Sequence, residues 1–582
     1  MKRCPACKRV ETDDTLTFCR ADGTILISDS SSVDAEAGTA RLGSSPTSSE
    51  AETSVLLPHR TDADMNRATA PTTMLDRQQT IGSTRELARP KRTKVIVFVC
   101  AAVFIGGAVT VAAYFYFSQN NIGAIQSIAV LPFVNESGNA DVEYLSDGMT
   151  ESLISSLSQI PKLNVKARSS VFRYKGKDTN VQTIGKELNV QAILNGRVVQ
   201  RGQDLILYVE LVEAATENVL WKQTYNKTMT NLVALQSDIA RDVADKLRVR
   251  LSGADEQKLA KHYTDNPEAY QLYLKGRFYW NQRTGDALKK SIEYFNQAIE
   301  KDPSYALAYA GLGDGYSLLP GYGGDSPRES LPKAEAAARR AVELDDSLAE
   351  AHTSLAHALI QQWNLSDANR EFQRAIALNP NYPTAHHWYG CNNLLVMARF
   401  DEAIAEGKRA QELDPFSLII NADLGYDYIY ARRYDQAIEQ LRKTIEMDQS
   451  FYYAHRLLGQ AYELKGSFPE AFAEYQTAKR MSDDPLVLAF LGHAFAASGQ
   501  RDEALKTLNQ LTEISRQRYV SAYSVAMVYA ELGEKDQALN WLEKGYQERA
   551  TKMAFLKIDP FFDNLRSEPR FAALVRRVGL SQ

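Results

Sequence analysis

Cysteine is nearly missing from this chain: five occur among 582 residues. Cys100 and Cys391 stand far from each other and from the remaining three. So thin a distribution excludes a secreted domain held together by disulfides. The chain also lacks an excess of one charge, since 67 basic and 72 acidic residues give a net charge of −5. This balance argues against nucleic-acid binding along the whole length.

Long stretches without charge are also rare, and the clearest one covers residues 95–117, VIVFVCAAVFIGGAVTVAAYFYF. As a helix rising about 1.5 Å per residue, this segment is about 35 Å long, which exceeds a hydrocarbon core of roughly 30 Å. It is apolar on every face, whereas a helix of a water-soluble domain is usually amphipathic. The sequence therefore predicts a transmembrane helix over 95–117.

The charges that flank this segment predict its orientation. Basic residues cluster before it, between Arg85 and Lys94, and the next basic residue after it is Lys162. Because positive flanks stay in the cytoplasm, we expect a cytoplasmic amino terminus and a periplasmic or otherwise extracytoplasmic location for residues 118–582. The chain is thus predicted to be a single-pass protein of the bacterial inner (cytoplasmic) membrane.

The other three cysteines fall within the opening stretch MKRCPACKRVETDDTLTFCRADGT. Cys4 and Cys7 are two residues apart, and Cys19 precedes Asp22 by the same gap. Thiols stay reduced in the cytoplasm, so this spacing favours a metal, most often zinc, over a disulfide. Residues 1–27 resemble the small zinc ribbons at the amino termini of bacterial membrane proteins, with Asp22 where many carry a fourth cysteine. We expect a structural zinc site on these four residues; a knuckle that no longer binds metal is the alternative.

Residues 28–93 connect this knuckle to the membrane segment. They are rich in Ser, Thr, Ala and acidic residues and show no sustained apolar period. Such a composition cannot bury a core, so we expect a disordered linker. Its hydroxyl groups are candidates for phosphorylation by a cytoplasmic kinase, and an inert spacer is the simpler interpretation.

Strand and helix patterns alternate over residues 125–251. An apolar run of strand length, AIQSIAVLPFV, precedes YLSDGMTESLISSLSQI, which has helical spacing. A hairpin with a turn around 214–218 is predicted for DLILYVELVEAATENVLWKQTYNK. The order β-α-β-α-β-β-β-α predicts one α/β sandwich. The loop after the first strand has neither G-x-G-x-x-G nor G-x-x-x-x-G-K, so nothing supports a phosphate site there.

The same region carries a family resemblance. Its sequence resembles the domain related to the amino-terminal part of TolB, over IAVLPFVNESGNADVEYLSDGMTESLISSLSQIPKLNVKARSSVFRYKGK and IGKELNVQAILNGRVVQRGQDLILYVELVEAATENVLWKQTYN. The resemblance implies a non-propeller α/β domain that is often followed by tetratricopeptide repeats. In that wider group, similar modules accompany cytoplasmic outputs such as winged-helix regulators, cyclases and kinases, whereas this sequence offers the ribbon alone.

Residues 266–550 repeat with a period near 34. Small residues mark the first helix of each repeat at intervals of 43, 34, 35, 34, 33 and 34: Gly313, Ala356, Gly390, Gly425, Gly459, Gly492 and Ala526. HRLLGQAYELKGSFPEAFAEYQTAKR, at 455–480, shows the tetratricopeptide pattern. We expect about eight such repeats in an all-α solenoid, closed over 551–582 by a C-terminal capping helix.

The concave face of this solenoid is the predicted partner-binding groove. Tyr and Arg often carry interface energy, and a run of tyrosines suits an extended or helical peptide. The groove residues are expected to be His357, His387, Cys391, Tyr426, Tyr430, Tyr453, Arg456, Gln460 and Glu463. A groove without a physiological ligand is the alternative.

These patterns predict a non-enzymatic scaffold of the bacterial envelope whose exterior repeats bind protein or peptide partners. No nucleophile–base set is visible in the sequence, and no small-molecule substrate is expected. The alternative is a transmembrane signalling component whose cytoplasmic ribbon contacts nucleic acid or a regulatory protein. The multidomain fold class common to both is an α/β sandwich followed by a tetratricopeptide solenoid, with one transmembrane helix and a zinc-ribbon-like amino terminus.

Overall fold

The computed structural model describes residues Lys2–Arg3, Val10–Glu11, Ile27–Ser28, 125–249, 251–322 and 325–580. The chain divides into two compact units, 1–98 and 99–582. In the first unit, strands β1 (Lys2–Arg3), β2 (Val10–Glu11) and β3 (Ile27–Ser28) form an antiparallel sheet of order β2-β1-β3.

Several predictions fall on residues that the structure does not describe. These are the zinc ligands Cys4, Cys7, Cys19 and Asp22, the linker beyond Ser28, and the transmembrane helix over 95–117. Of the helices within the described ranges, none is both long enough and apolar enough to cross a bilayer. The zinc site and the membrane span therefore stay predictions.

The second unit begins with a six-stranded mixed sheet. Its strands are β4 (Ser127–Val130), β5 (Val134–Asn135), β6 (Asn164–Val165), β7 (Ala192–Arg201), β8 (Asp204–Glu213) and β9 (Val219–Thr228). The sheet order is β6-β4-β7-β8-β9, and β5 pairs with β7. Strand β4 runs parallel to β6 and β7, whereas β7, β8 and β9 form an antiparallel meander. The hairpin loop 214–218 lies where the sequence predicts it.

Five helices accompany this sheet: α1 (Glu143–Ser158), α2 (Arg168–Phe172), α3 (Val181–Leu188), α4 (Leu232–Lys246) and α5 (Gly253–Ala260). A mixed sheet domain followed by an all-helical solenoid is therefore confirmed. The detailed order differs from the prediction, because β5 and α2 interrupt it. Both are too short, at two and five residues, to leave a periodic signal in the sequence.

Between Pro267 and Gln547, the described residues form eight consecutive helix pairs. The pairs are α6 (Pro267–Trp280) with α7 (Gly285–Lys301), α8 (Ala306–Tyr322) with α9 (Pro327–Leu344), α10 (Ala349–Gln361) with α11 (Leu365–Leu378), α12 (Pro383–Trp388) with α13 (Phe400–Leu413), α14 (Leu418–Tyr430) with α15 (Tyr434–Met447), α16 (Tyr452–Leu464) with α17 (Phe468–Met481), α18 (Pro485–Ala497) with α19 (Arg501–Ser515), and α20 (Ala522–Glu531) with α21 (Lys535–Gln547). Helix α12 continues as a π-helix over Tyr389–Leu394.

The small marker residues allow the two helices of each pair to approach closely. A Cβ atom on Gly459 would lie 2.7 Å from the ring of Tyr475, and one on Gly425 would lie 2.6 Å from the side chain of Leu441. Real contacts of a Cβ atom are longer than this, so a larger residue would push the helices apart. The 34-residue marker pattern thus reflects close contacts between the two helices of a pair.

The mixed domain and the first helix pair share one apolar core. Tyr270 and Leu274 of α6 are buried in the same cluster as the sheet residues Ile128 and Leu194. Gly148 of α1 makes this approach possible, since a Cβ atom there would lie 2.9 Å from the side chain of Leu274. The two parts are therefore packed as a continuous structure rather than joined by a free linker.

The chain after the last pair differs from the predicted capping helix. Two 3₁₀ segments, Thr551–Phe555 and Pro560–Leu565, come first, and helix α22 is confined to Pro569–Arg577. Helix α22 packs on α21, as a cap does, but the 3₁₀ segments carry buried residues such as Met553 and Phe562. They form part of the main core of the solenoid.

Three histidines occupy equivalent places in three helix pairs. In each, Nδ1 lies against a glutamate of the second helix and Nε2 lies against a carbonyl oxygen of the preceding loop. The contacts are His352 with Glu371 (2.6 Å) and Asp346 (3.0 Å), His386 with Glu406 (2.5 Å) and Pro380 (2.9 Å), and His455 with Glu474 (2.6 Å) and Gln449 (3.1 Å). Both partners of each ring are acceptors, and at His352 and His455 this geometry favours a doubly protonated imidazolium.

This geometry gives a pH-dependent stability. Burial acts to lower the pKa of His352, but Glu371 and a backbone carbonyl outweigh burial, so the pKa is raised. At His455 the hydrogen bond with Glu474 raises the pKa. A histidine whose pKa is raised in the folded state stabilises the folded protein. This contribution is fully present below the unfolded-state pKa of about 6.5 and is lost as the pH rises through the folded-state pKa. We expect His352→Gln with His455→Gln to cost about 1 kcal/mol per site at pH 5.5.

Urea unfolding of the wild type and the double variant at pH 5.5 and pH 9 measures this effect. The difference in the free energy of unfolding should be larger at pH 5.5. A difference that stays constant between the two pH values would contradict the imidazolium assignment.

Candidate functional site

The predicted groove residues lie on the first helices of four pairs, on α10, α12 with its π-helical continuation, α14 and α16. They are His357, His387, Cys391, Tyr426, Tyr430, Tyr453, Arg456, Gln460 and Glu463. Tyr453 is half-buried and the other eight are buried. The expectation of an open groove is therefore corrected, while partner binding at these residues stays a prediction.

The C-terminal 3₁₀ segments bury this inner face. Asp559 accepts a hydrogen bond from the Tyr430 hydroxyl at 3.3 Å, and the Phe555 ring lies 5.4 Å from the Tyr430 ring. Farther along, the Phe561 ring packs edge-on against His493, with centroids 4.5 Å apart. Residues 551–565 thus occupy the space that an extended peptide was expected to fill.

A cavity of about 900 Å³ remains between this segment, the solenoid and the mixed domain. Five of the predicted residues line it: His357, His387, Cys391, Tyr426 and Tyr453. The other four, Tyr430, Arg456, Gln460 and Glu463, do not. A volume of this size matches pockets for small ligands, which range over roughly 300–1,000 Å³.

Glu463 and Arg456, two of the predicted residues that do not line the cavity, make contacts inside the solenoid. The Glu463 carboxylate lies 2.5 Å from His493 Nδ1 and accepts a hydrogen bond from the Tyr475 hydroxyl at 2.6 Å. The Arg456 guanidinium lies 4.7 Å from the ring centre of Tyr453. These contacts are internal to the solenoid, so both charged groups stabilise its packing.

The mixed domain supplies one wall of the cavity through a half-buried ion cluster. Glu151 of α1 accepts a hydrogen bond from Arg277 Nε at 2.8 Å and lies 3.2 Å from Arg168 Nε. Asn281 donates a further bond to it at 2.7 Å. Burial acts to raise the pKa of Glu151, but the two guanidinium groups outweigh it and hold the pKa below its usual value. Glu151 is therefore an anion at neutral pH.

A second set of polar groups faces the cavity from the first three helix pairs. Burial raises the pKa of Asp314 to about 6, although Arg277 and Arg283 oppose the shift. The imidazole of His357 stacks on Trp388 with ring centres 4.1 Å apart. Burial, aided by Arg283, lowers the pKa of His357 to about 3, so this ring is neutral.

Two atoms of this second set have unused hydrogen-bonding capacity. Asp314 Oδ1 and His357 Nδ1 are buried and find no hydrogen-bond partner among the described residues. The guanidinium of Arg283 lies 3.6 Å from the ring centre of Trp280, a contact that leaves its N–H donors available. Buried polar atoms are normally hydrogen-bonded, so this corner of the cavity is suited to a polar guest.

A third set lies where α12 and α14 meet the C-terminal segment. His387 Nε2 is 2.8 Å from Asp423 Oδ2, and the Tyr453 hydroxyl donates to Asp423 Oδ1 at 2.7 Å. Lys552 donates to the Tyr426 hydroxyl, and burial with the nearby charge of Arg456 lowers the pKa of Lys552 to about 8. The cavity is therefore polar at both ends.

Sequence reasoning missed the residues that other segments bring to this site. Glu151 and Arg168 come from the mixed domain, Arg277 and Arg283 from the first pair, and Lys552 from the C-terminal segment. None of them belongs to a local motif. One signal was available in the sequence, the hydrophobicity of residues 551–565. This segment, which contains KMAFLKIDPFFDNL, is too hydrophobic for an exposed connection.

The comparisons with known proteins agree with this division of the chain. A family model described as a tetratricopeptide repeat matches residues 422–484. The helical half is a tetratricopeptide-repeat solenoid. A second model, described as the second domain of HilA/YgeH-like transcriptional regulators, matches residues 124–242. It describes a different family from TolB, and the TolB resemblance stays a prediction.

Two bacterial relatives are similar over longer stretches. "Putative adenylate cyclase 3" of Rhizobium meliloti is 31% identical over 244 residues, which are 42% of this chain and 41% of that protein. The transcriptional regulator HilA of Salmonella typhimurium is 19% identical over 418 residues, 70% of this chain and 66% of HilA. The chain therefore spans less than two thirds of either relative.

Solved structures with similar helices include a human IFIT1 dimer with m7Gppp-AAAA. It is 16% identical, covers 72% of this chain and 98% of its own, and has a TM-score of 0.39. PilF of Pseudomonas aeruginosa is 20% identical, covers 40% of this chain and 97% of its own, and has a TM-score of 0.30. The repeat assignment rests on the helix pairs and the family match.

Proposed function

We propose that this chain is a non-enzymatic signalling component anchored in a bacterial inner membrane, and that residues 125–580 are its ligand-binding half. The observation that carries the proposal is the polar cavity of about 900 Å³ between the mixed domain and the solenoid. A guest in that cavity contacts both parts at once. Its binding energy therefore changes how tightly they are held together, as a signal requires.

The cavity indicates what kind of guest it takes. Arg283 offers donors, whereas Asp314 and His357 offer an acceptor and an unsatisfied ring nitrogen. Trp280 and Trp388 add flat apolar surface next to these groups. A small polar molecule or the end of a short peptide fits this chemistry, because a longer peptide would have to displace residues 551–565.

The rest of the proposal concerns the other end of the chain. The charge asymmetry around residues 95–117 supports a cytoplasmic amino terminus, where a zinc knuckle on Cys4, Cys7, Cys19 and Asp22 would contact a protein or nucleic acid. Both relatives described above are named for regulatory outputs, a cyclase and a transcriptional regulator. That pattern supports a sensing role for the region they share with this chain.

A scaffold of the bacterial envelope is the second candidate function. Tetratricopeptide repeats typically mediate protein–protein interactions, and the repeat model matches this chain. In that case the partner binds the outer surface of the solenoid, because the inner face is covered. The two candidates differ in whether the cavity or the outer surface holds the physiological ligand.

Mass spectrometry of molecules that co-purify with the full-length chain separates the candidates. We expect a bound small molecule or short peptide whose occupancy falls about tenfold or more in Asp314→Asn with His357→Ala, since each substitution removes a polar contact of about 1 kcal/mol. Asp536→Asn, a change of the same kind at an exposed residue, is the matched control and should retain it. Equal occupancy in both variants, or no guest on the wild type, would contradict the cavity as the ligand site.

A further inference from the structure

The wall of the cavity contains a group of three side chains with metal-binding chemistry. His387, Cys391 and Asp423 are all buried, and one ligand atom from each lies within 4.8 Å of the other two. In the structure, His387 Nε2 and Asp423 Oδ2 are 2.8 Å apart and share a hydrogen. The nitrogen, sulfur and oxygen thus converge on one point from two helices.

The π-helical turn that carries Cys391 has a cause in the sequence. The interval from Gly390 to Gly425 is 35 residues, one more than the usual period of 34. The extra residue lies in the helix itself, which runs over 383–396, whereas its neighbours Ala349–Gln361 and Leu418–Tyr430 each have 13 residues. Turns of this type inside α-helices frequently mark functional sites.

Neighbouring groups hold the three side chains in place. The Tyr453 hydroxyl donates to Asp423 Oδ1 at 2.7 Å, which leaves Oδ2 directed at His387. Asn392 Nδ2 lies 3.3 Å from the Cys391 sulfur. Outer contacts of this kind orient the ligands of metal sites and are part of their design.

We propose that His387, Cys391 and Asp423 form a binding site for a late first-row divalent cation such as zinc. A thiolate with an imidazole favours these ions over magnesium or calcium, which prefer oxygen ligands alone. The ion replaces the hydrogen shared by His387 and Asp423, the imidazole carries its proton on Nδ1, and Cys391 releases its thiol proton to solvent. One thiolate and one carboxylate then match the two positive charges of the ion.

The surroundings leave one coordination position facing the cavity. All three ligands line the cavity, so a water molecule or a group of the guest can complete a four-coordinate site. Lys552 adds an opposing positive charge nearby, and the buried Asp427 side chain lies one helical turn beyond Asp423. Asp427 Oδ1 has no hydrogen-bond partner among the described residues.

This site goes beyond the proposed function and does not depend on it. The ion could hold the solenoid together without any guest, and a guest could bind at Asp314 and His357 without the ion. The two proposals are therefore measured separately: metal binding by absorption, and guest occupancy by mass spectrometry.

Cobalt(II) titration of the full chain tests the metal site. Replacing Cys4, Cys7, Cys19 and Cys100 by serine leaves Cys391 as the single thiol of the five. We expect this four-serine chain to bind about one equivalent of cobalt, because it has one group of three proposed ligands. The bound cobalt should show a thiolate charge-transfer band. Adding Cys391→Ser should abolish the band, and adding Asp423→Asn should weaken binding by at least about 10- to 100-fold, since losing a partner that only orients a ligand already costs that much.

Two controls keep the result interpretable. Asp314→Asn in the same four-serine chain changes the cavity but not the cluster, and it should bind cobalt as before. Circular dichroism of each variant establishes that the solenoid is folded. A folded four-serine chain that binds no cobalt, or a charge-transfer band that survives Cys391→Ser, would overturn the proposal. The proposal would also be overturned if the native chain bound cobalt and the four-serine chain did not, since this result would assign the metal to the N-terminal cysteines.

Discussion

Replacing Glu151 by Ala is expected to lower the free energy of unfolding by about 3 kcal/mol, because it leaves two guanidinium groups facing each other in a partly buried site. Arg277 and Arg168 lose their shared counter-ion, and Asn281 loses an acceptor. The side chains of Glu151 and Arg277 are each 17% exposed, so solvent screens them only in part. The expected cost is accordingly at the lower end of the range for a buried pair.

Urea unfolding at pH 7 measures this loss. Glu151→Gln retains the shape and part of the hydrogen bonding, so it should fall between the wild type and Glu151→Ala. Glu343→Ala is the surface control: its pair with Arg340 is exposed, and its removal should cost less than about 1 kcal/mol. A cost for Glu151→Ala no larger than the control would show that the ion cluster does not form in solution.

The position of this cluster explains why a guest could act as a signal. Arg277 belongs to the first helix pair, Glu151 to the mixed domain, and both line the cavity. Elsewhere the same interface is also polar: Asn381 reaches the carbonyl oxygens of Ser158 and Leu163 at 3.3 Å, and Asp414 accepts from Ser170 at 2.5 Å. The polar contacts of this interface can be exchanged for contacts with a polar guest at little net cost, while the apolar packing around Leu274 keeps the two parts together.

The repeat architecture was predictable from the sequence because its signal is local and periodic. The marker Gly459 meets Tyr475 of the next helix, and the marker Gly425 meets Leu441, in both cases 16 residues farther along the chain. The same contact recurs about every 34 residues and leaves a pattern that one sequence reveals. The mixed domain was predictable for its long strands, and less so for β5 and α2, which are too short to have a period.

The burial of the inner face could not be predicted because its cover comes from a distant part of the chain. Tyr426 and Tyr430 do occupy first-helix positions, as the register indicates. What buries them is the segment 551–565, more than a hundred residues later, and periodicity carries no information about such a contact. The same limit applies to Glu151 and Arg277, whose pairing depends on how two domains pack.

Asp559 is the residue that fixes this cover, and its loss should be costly. It is 3% exposed and accepts hydrogen bonds from the Tyr523 hydroxyl at 2.6 Å, the Tyr430 hydroxyl at 3.3 Å and the backbone N–H of Phe561 at 3.0 Å. Burial raises its pKa. Asp559→Ala leaves two buried hydroxyls unpaired and removes an N-cap, so we expect the free energy of unfolding to fall by about 3 kcal/mol.

The paired variant Asp559→Asn separates the hydrogen bonds from the charge. Its amide oxygen can still accept from Phe561 or Tyr523, so the expected cost is about 1 kcal/mol. Limited trypsin digestion provides a second measure, because Lys552 and Lys557 lie in the covering segment: cleavage there should be faster in Asp559→Ala than in Asp559→Asn. If Asp559→Ala unfolds like the wild type and trypsin cleaves the segment rapidly and equally in both, residues 551–565 are not held against the inner face, and the predicted groove is open after all.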